Sequence, residues 1–308
     1  MRDYINNYEA IRSTFVMDDR DEHEFSPESA TFIKDALEYA LRRSFRDFNF
    51  RTLTAVKSNK KTGFVCEYDK WAEQQRSAMK NAKNKIEKDA ISVGRTDYLI
   101  EKLNKTEFYR QFVDYFSPNS VYKTKEEFNA WHNKTCELFL NTLSSDYENL
   151  CYGKAQKIVN MMFKHLYCLN GAEKYDADGY FTYCHLTLDS FTLEWFKRNV
   201  REGKVGVWSN LSYDDSLDHS NNYCYYVAEI SKYFSRDDVK EKYNGLTAFQ
   251  FEFYMWPEMQ LHLAAEGFYF ALKDGLSNEA REKFRRKNIV DKITEINKSI
   301  DNFTKVCQ

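Results

Sequence analysis

Long stretches of this chain contain neither glycine nor proline. Its 308 residues include only 10 glycines and 3 prolines, and the intervals between them are rich in Glu, Lys, Leu, Phe and Tyr. Glycine and proline most often end helices and open turns, so their scarcity predicts an all-α fold. With 43% apolar residues the chain can bury a large core, and we expect one helical domain, residues 1–308, made of two packed lobes.

Apolar spacing predicts helices along most of the chain. Ser26 and Pro27 form a typical helix start, a capping residue followed by proline at the first helical position, and that helix should run to about Phe48. A lysine-rich turn, SNKKTG, follows this segment. Further helices are predicted over 67–91, 96–116, 123–143, 153–169, 188–200, 222–234 and 246–272. The last of these should be kinked or broken at Pro257.

The C-terminal segment, 278–308, is predicted to be one more helix. Its isoleucines, from Ile289 to Ile300, alternate at spacings of four and three and form an apolar seam. Two heptads are too few for a coiled coil. We therefore expect this helix to dock on its own body, with a homodimer as the lesser alternative.

Charge is distributed unevenly along the sequence. Residues 1–41 hold 4 basic and 10 acidic side chains, whereas residues 42–110 hold 17 basic and 9 acidic. This basic section is the part of the chain best suited to a polyanion, because lysine and arginine bind phosphates with release of counterions. The alternative is a solvated helix face that acidic neighbours balance.

Several classes of protein are disfavoured. The seven cysteines are scattered and never form a C-x-x-C pair, which argues against a disulfide framework or a metal site, and we expect neither a metal nor another cofactor. Cys184 adjoins His185, but neighbouring side chains point in different directions, so we set a thiol nucleophile aside. The sequence start lacks a signal pattern and no apolar run could span a bilayer, which predicts a cytoplasmic protein with no membrane partner.

A polar stripe runs along the helix YGKAQKIVNMMFKHLYC. Lys157, Asn160 and Lys164 fall at i, i+3 and i+7, on one narrow face of a helix that is otherwise apolar. The stripe is either a solvated edge or the floor of a polar site. If it is a site, the nearby Gln156 and Tyr152 are further candidates for binding a substrate.

The run GKAQKIVNMM, followed later by LTLD, resembles a divergent form of the helix-hairpin-helix DNA glycosylase signature. The resemblance covers about residues 145–200. In that superfamily a glycine-rich hairpin leads into a helix with a lysine near its start, and an aspartate opens a later helix. The resemblance implies two helical lobes around such a motif, DNA as partner, and Lys157 and Asp189 as catalytic residues. The positions implied to contact the DNA backbone are Gly153, Lys154 and Arg198.

The sequence departs from the superfamily pattern at several points. Ala155 stands where a second glycine is usual, Thr187 where proline is frequent, and 32 residues separate the lysine from the aspartate. Such departures fit offshoots of the superfamily that act on modified bases, some of them in phage–host conflict. The function implied is an N-glycosylase or a related base-excision activity.

Each implied catalytic role has a structural alternative. Asp189 could stabilise positive charge on the sugar, or it could simply cap a helix. Lys157 could form a Schiff base with the sugar, or its stem could lie along a helix edge with its amine in water. An extruded base would need aromatic and polar walls, for which Trp195 and Glu252 are candidates, and the buried Glu252 would need a partner such as Lys164.

A second class of function stays open. A non-catalytic helical interaction module, for example in a defence system, could use the lysine stripe to contact a partner without any chemistry. A helical RNase is disfavoured, because no histidine follows an arginine at the four-to-six-residue spacing that such nucleases share.

Overall fold

The computed structural model of the protein describes residues 25–27, 33–48, 53–83, 85, 91, 94–117, 124–169, 172, 179–213 and 219–273. Within these ranges the chain is mainly helical, and extended pairing is limited to isolated bridges. The prediction of an all-α fold is therefore confirmed.

Ten α-helices lie in the described ranges, the first preceded by a π-helical turn, Ile33–Leu37. They are α1 (Glu38–Asp47), α2 (Glu67–Asn81), α3 (Arg95–Asn104), α4 (Glu107–Tyr115), α5 (Lys125–Leu143), α6 (Tyr152–Tyr167), α7 (Ser190–Asn199), α8 (Tyr223–Phe234), α9 (Asp237–Lys242) and α10 (Ala248–Lys273).

The chain divides into two compact units. Among the described residues, the first unit contains α1 to α6 together with Ser209–Tyr213, and the second contains His185–Trp208 and everything from His219 onward, with α7 to α10. The boundary falls between Cys184 and His185. The glycosylase-like region predicted over residues 145–200 is consequently shared between the two units.

Aromatic rings form the core of the first unit. Helix α6 packs on α1 and on α5, and α4 packs on α5. The Trp131 ring of α5 lies 4.7 Å from that of Tyr115 and 5.4 Å from that of Phe163 on α6, measured between centroids. Aromatic contacts of this kind combine a large buried apolar area with a preferred geometry, and they fix α6 at the centre of this unit.

Burial of α6 decides what its polar stripe is. Fifteen of the sixteen residues from Tyr152 to Tyr167 are buried, and Lys157 alone is more exposed. Asn160 and Lys164 retain 1% and 2% of their exposure. The stripe is therefore not a solvated edge, and its polar groups must be satisfied inside the protein.

In the second unit, α7 packs on α10, and α8 packs on both α9 and α10. Trp195 of α7 is buried, with its ring 5.5 Å from Phe251 of α10 and 5.8 Å from Tyr233 of α8. This aromatic contact joins three helices of the unit.

Two helix predictions differ from the structure. The helix predicted over 96–116 is two helices, because Thr106 is extended and its hydroxyl donates to the Leu103 carbonyl at 2.7 Å. The alternative of a break at Pro257 is also wrong, since α10 continues across it, and the alternative of a kink there stays a prediction. Proline removes one helical hydrogen bond, and the burial of Phe253 and Met255 on the preceding turn helps to keep the helix in place.

One further helix is shorter than predicted, and another prediction falls outside the described residues. The helix predicted over 67–91 ends at Asn81, where Ala82 is extended. The C-terminal helix, 278–308, and the homodimer proposed through it lie outside the described residues. Where helices are described, none combines the length and apolarity needed to cross a membrane.

Candidate functional site

A buried chain of side-chain hydrogen bonds links α5 to the first half of α6. His132 of α5 lies with Nδ1 3.2 Å from the Tyr152 hydroxyl and Nε2 2.8 Å from Asn160 Oδ1. Asn160 Nδ2 then donates to Gln156 Oε1 at 3.0 Å, and Gln156 Nε2 donates to the Gly153 carbonyl at 2.9 Å. We call these four side chains the α5–α6 polar chain.

Donor and acceptor roles along the α5–α6 polar chain are fixed. The Asn160 oxygen can only accept, so His132 carries its proton on Nε2, and Nδ1 accepts from the Tyr152 hydroxyl. Burial lowers the pKa of His132 to about 4, and the bond to Asn160 opposes that shift only in part. The imidazole is therefore neutral near pH 7, as this pattern requires.

The polar chain contains three of the residues predicted to bind substrate. Asn160 and Gln156 each accept one hydrogen bond and donate one within the first unit. Tyr152 donates to His132, and its ring lies 4.8 Å from that of Tyr213. The arrangement satisfies buried polar groups and fixes the register of α5 against α6. Substrate binding by these residues stays a prediction.

The other end of α6 carries a cluster of charges. His165 is buried, and its Nε2 lies 3.0 Å from Asp47 Oδ2 at the end of α1. Burial raises the pKa of Asp47, but the bond to His165 and the cations Arg43 and Lys164 outweigh it and hold that pKa below its usual range. The buried Lys164 therefore lies near a carboxylate of its own unit.

Gly153 and Lys154, predicted to contact the DNA backbone, lie in the first turn of α6. The Gly153 amide donates to the Leu211 carbonyl at 2.9 Å, and the buried Lys154 amine donates to the Asn149 carbonyl. The glycine is thus helical, and its amide has a partner within the protein. The backbone role of both residues stays a prediction, and it would require these bonds to open.

Asp189 caps α7 in the second unit. Its Oδ1 accepts from the backbone amides of Phe191 and Thr192 at 2.9 and 3.1 Å, and its Oδ2 accepts from Trp256 Nε1 at 3.0 Å. The side chain is 5% exposed. Both oxygens of the carboxylate are therefore held by donors, as expected of a structural cap.

The remaining predicted site residues of the second unit also have partners. Glu252 is buried, and its Oε2 accepts from the Thr187 amide at 2.8 Å. One partner of Glu252 is thus a backbone amide, and a pairing with Lys164 stays a prediction. Arg198 pairs with Glu194 at 2.7 Å and contacts His262, and Trp195 belongs to the aromatic core.

The two predicted catalytic residues belong to different units. Lys157 lies on α6 of the first unit and is partly exposed, whereas Asp189 opens α7 of the second. Their joint catalytic role stays a prediction. A metal site has no support among the side chains that the structure describes, since no three His, Cys, Asp or Glu residues cluster there.

The basic section presents the most distinctive described surface. From Lys57 to Lys85 the chain carries eight basic and three acidic side chains. All eight basic side chains are exposed: Lys57, Lys60, Lys61, Lys70, Arg76, Lys80, Lys83 and Lys85. We call residues 57–85 the basic face. The basic face is a part of the basic section predicted over residues 42–110 from its charge count, and none of its eight basic side chains is buried.

A hairpin at the start of the basic face was predicted only as a turn. Asn59 and Phe64 form an antiparallel bridge, and the Asn59 amide donates to the Phe64 carbonyl at 2.9 Å. Phe64 is 50% exposed and Val65 44%. These two residues were not predicted from the sequence, because aromatic and branched apolar side chains are usually buried in the core. The available signal was their position directly after a lysine- and glycine-bearing turn.

Comparison of the chain with protein-family models, with curated proteins and with solved structures found no match.

Proposed function

We propose that this protein is a helical DNA-binding module without catalytic activity, and that the basic face binds the phosphate backbone. The observation that carries the proposal is the exposure of all eight basic side chains between Lys57 and Lys85 against only three acidic ones. Polyanion binding needs cations that water and phosphate can both reach.

Acidic neighbours neutralise the basic face only in part. Lys70 pairs with Glu67 at 2.8 Å and Arg76 with Glu73 at 3.4 Å, and all four side chains are about half exposed or more. Exposed ion pairs of this kind contribute about 0.2–1 kcal/mol. A phosphate can therefore replace the carboxylate at small cost.

The shape of the basic face suits a linear polyanion. Helix α2 has 15 residues and thus extends about 22 Å. One strand of DNA advances about 3.4 Å of helix axis for each phosphate. The helix and its preceding hairpin can lie along roughly six consecutive phosphates. Elsewhere the chain holds 37 basic and 44 acidic side chains, so the excess of positive charge is concentrated here.

Binding is favoured over catalysis by the state of the Asp189 carboxylate. A catalytic carboxylate must face the sugar, but both oxygens of this group already accept hydrogen bonds. The base-excision activity implied by the glycosylase resemblance remains a separate prediction, and a product assay tests it.

The test is a binding titration by fluorescence anisotropy, with labelled single-stranded and duplex DNA at 50 and 200 mM salt. The charge-reversal variant Lys60→Glu/Lys61→Glu should bind at least tenfold more weakly than the wild type, with a shallower salt dependence. Lys204→Glu, on an exposed lysine of the second unit, is the matched control and should bind normally.

Two results would overturn the DNA-binding part of the proposal, and product formation would overturn the non-catalytic part. One is the absence of salt-dependent binding at 50 mM salt, and the other is an equal loss in the Lys204→Glu control. Incubation of the same mixtures, followed by analysis for released base and abasic sites, addresses the catalytic question separately. Product formation would show that the module is an enzyme.

A further inference from the structure

The hairpin that opens the basic face, Lys57–Val65, is a defined structure. Besides the bridge between Asn59 and Phe64, the Lys61 amide donates to Asn59 Oδ1 at 2.9 Å. Gly63 has a φ of +72°, a left-handed conformation that glycine adopts without strain. The turn sequence thus places Phe64 at a fixed point of the hairpin.

The base of the hairpin is attached to the body of the first unit. The Ser58 hydroxyl accepts from the Cys66 amide at 2.9 Å and donates to the Asp69 carboxylate of α2. Just upstream, the Val56 amide donates to the Asp146 carbonyl at 2.8 Å, beside α5. The hairpin is therefore positioned by bonds to two neighbouring segments, so little conformational entropy is lost when it binds.

Its outer side chains combine positive charge with exposed apolar surface. Lys57, Lys60 and Lys61 are exposed, and none forms an ion pair within the part of the chain that the structure describes. Phe64 and Val65 lie next to them at about half exposure. Phe64 thus keeps half of its surface accessible beside three cations, and aromatic rings next to basic side chains are the groups that bind single-stranded nucleic acid.

We infer that the hairpin recognises unpaired bases, with the Phe64 ring stacking on a base while Lys57, Lys60 and Lys61 contact the flanking phosphates. Every base has a flat face that an aromatic ring can stack on, and in a duplex that face is covered by neighbouring base pairs. The protein consequently binds single-stranded nucleic acid more tightly than duplex. This inference rests on the proposed DNA-binding function, and it specifies a single strand as the preferred ligand.

Nucleic acid fits this surface better than an anionic membrane. Only two apolar side chains protrude at the hairpin, whereas basic side chains continue along α2 from Lys70 to Lys80, over about 15 Å of helix. A membrane-bound helix or loop depends on a larger apolar area. Two apolar side chains next to the hairpin lysines and the basic residues of α2 fit a nucleic acid strand whose bases are turned outward.

The experiment compares three substitutions of Phe64 in the full chain. Phe64→Ala removes the ring, Phe64→Leu keeps an apolar side chain without a flat face, and Phe64→Trp keeps an aromatic face. Binding of a labelled 12-nucleotide single strand should fall about tenfold in the Ala and Leu variants and stay near the wild-type value in the Trp variant. Binding of a matched duplex should change less than twofold.

Val207→Ala is the matched control, since Val207 is 58% exposed in the second unit and its truncation should leave binding unchanged. Thermal unfolding should be nearly the same for all four variants, because every altered side chain is exposed. Quenching of the new indole in Phe64→Trp by the single strand gives an independent measure of stacking.

The outcomes separate this inference from the proposed function. If Lys60→Glu/Lys61→Glu weakens DNA binding but all three Phe64 variants bind normally, the stacking inference is wrong and the DNA-binding proposal stands. If neither single strand nor duplex binds, both fail. If phosphatidylserine vesicles bind, and Phe64→Leu binds them as well as the wild type, the hairpin contacts a membrane surface and the inference is also wrong.

Discussion

His132 Nε2 donates to Asn160 Oδ1 at 2.8 Å, deep in the first unit, where both side chains are 1% exposed. The bond joins α5 to α6 and fixes the imidazole in one tautomer. A polar contact of this kind stabilises only while each of its members has a partner, because unsatisfied polar groups are costly in a low dielectric.

Asn160→Ala tests the energetic role of that contact. The substitution removes the acceptor of the His132 proton and the donor to Gln156, and it leaves both partners buried. We expect the free energy of unfolding to fall by about 2–4 kcal/mol, since each unsatisfied buried group costs about 1–3 kcal/mol. Chemical denaturation monitored by circular dichroism measures the loss.

Asn141→Ala is the control for this substitution. Asn141 is exposed and lies on α5, so its truncation should change stability by no more than about 0.5 kcal/mol. Equal effects of the two substitutions would show that the α5–α6 polar chain contributes nothing specific.

The lowered pKa of His132 predicts a pH dependence of stability. The folded protein holds this group with a pKa of about 4, below the unfolded value of about 6.5. Between these values the unfolded state binds more protons, so the contribution is complete above pH 6.5 and is lost as pH falls toward 4. From pH 7 to 4.5 we expect a loss of about 2 kcal/mol from this group.

The measurement is the free energy of unfolding at several pH values for the wild type and for His132→Gln. The difference between the two proteins should shrink by about 2 kcal/mol as pH falls from 7 to 4.5. His219→Gln, at an exposed position, should run parallel to the wild type. A constant difference for His132→Gln would contradict a buried neutral imidazole.

Helix α6 shows what the sequence predicts well. Its apolar spacing predicted a helix over 153–169, and the structure has one over Tyr152–Tyr167. The prediction succeeds because a helix buried on nearly every side needs apolar residues at most of its positions. The partner of Asn160 could not be found in this way. His132 lies 28 residues earlier on another helix, and their meeting depends on the register between helices, which local periodicity does not contain.

The residues predicted for catalysis and binding illustrate a second limit. Glu252 was singled out because a buried carboxylate needs a partner, and it has one. Asp189 was singled out by the glycosylase resemblance, with a helix cap as the alternative, and it does cap a helix. The partners are backbone amides and an indole of their own unit, which no sequence motif specifies. Phe64 was overlooked because a phenylalanine is usually buried. Its exposure depends on the geometry of the turn before it, which the residue type alone does not indicate.

Asp146 anchors the segment between α5 and α6, and its removal should be among the most destabilising changes in the first unit. Its side chain is 1% exposed, Oδ2 lies 2.6 Å from the Lys102 amine, and Oδ1 accepts from the Tyr98 hydroxyl at 2.6 Å. Asp146→Ala leaves the Tyr98 hydroxyl without its acceptor, and it leaves the Lys102 amine with no carboxylate, next to Ser145 Oγ at 2.9 Å. We expect a loss of about 3–5 kcal/mol in unfolding free energy.

The control for Asp146→Ala is Asp238→Ala, which breaks the exposed pair with Arg236. Exposed pairs contribute little, so that variant should unfold close to the wild type. The hairpin Lys57–Val65 adds a second readout, because the Val56 amide donates to the Asp146 backbone. Proteolysis near Lys60 and Lys61 should become faster in Asp146→Ala if the side chain also holds that backbone in place.

Substitutions of Asp189 separate capping from chemistry. Asp189→Ala loses the bonds to the amides of Phe191 and Thr192 and leaves the Trp256 indole without its acceptor. The expected cost is about 2–3 kcal/mol, of which the cap contributes about 1. Asn222→Ala, which removes the bond that caps α8 at the Cys224 amide, should cost about 1 kcal/mol.

Asp189→Asn is the informative partner variant. Asparagine caps helices about as well as aspartate, so Oδ1 keeps both amide bonds and only the contact with Trp256 changes. The fold should be retained with a loss of about 1 kcal/mol. If the carboxylate is a cap, single-stranded DNA binding by Asp189→Asn will match the wild type, and neither protein will release a base. If the wild type releases a base and Asp189→Asn does not, the carboxylate acts in catalysis, because a stable fold with an intact cap cannot account for that difference.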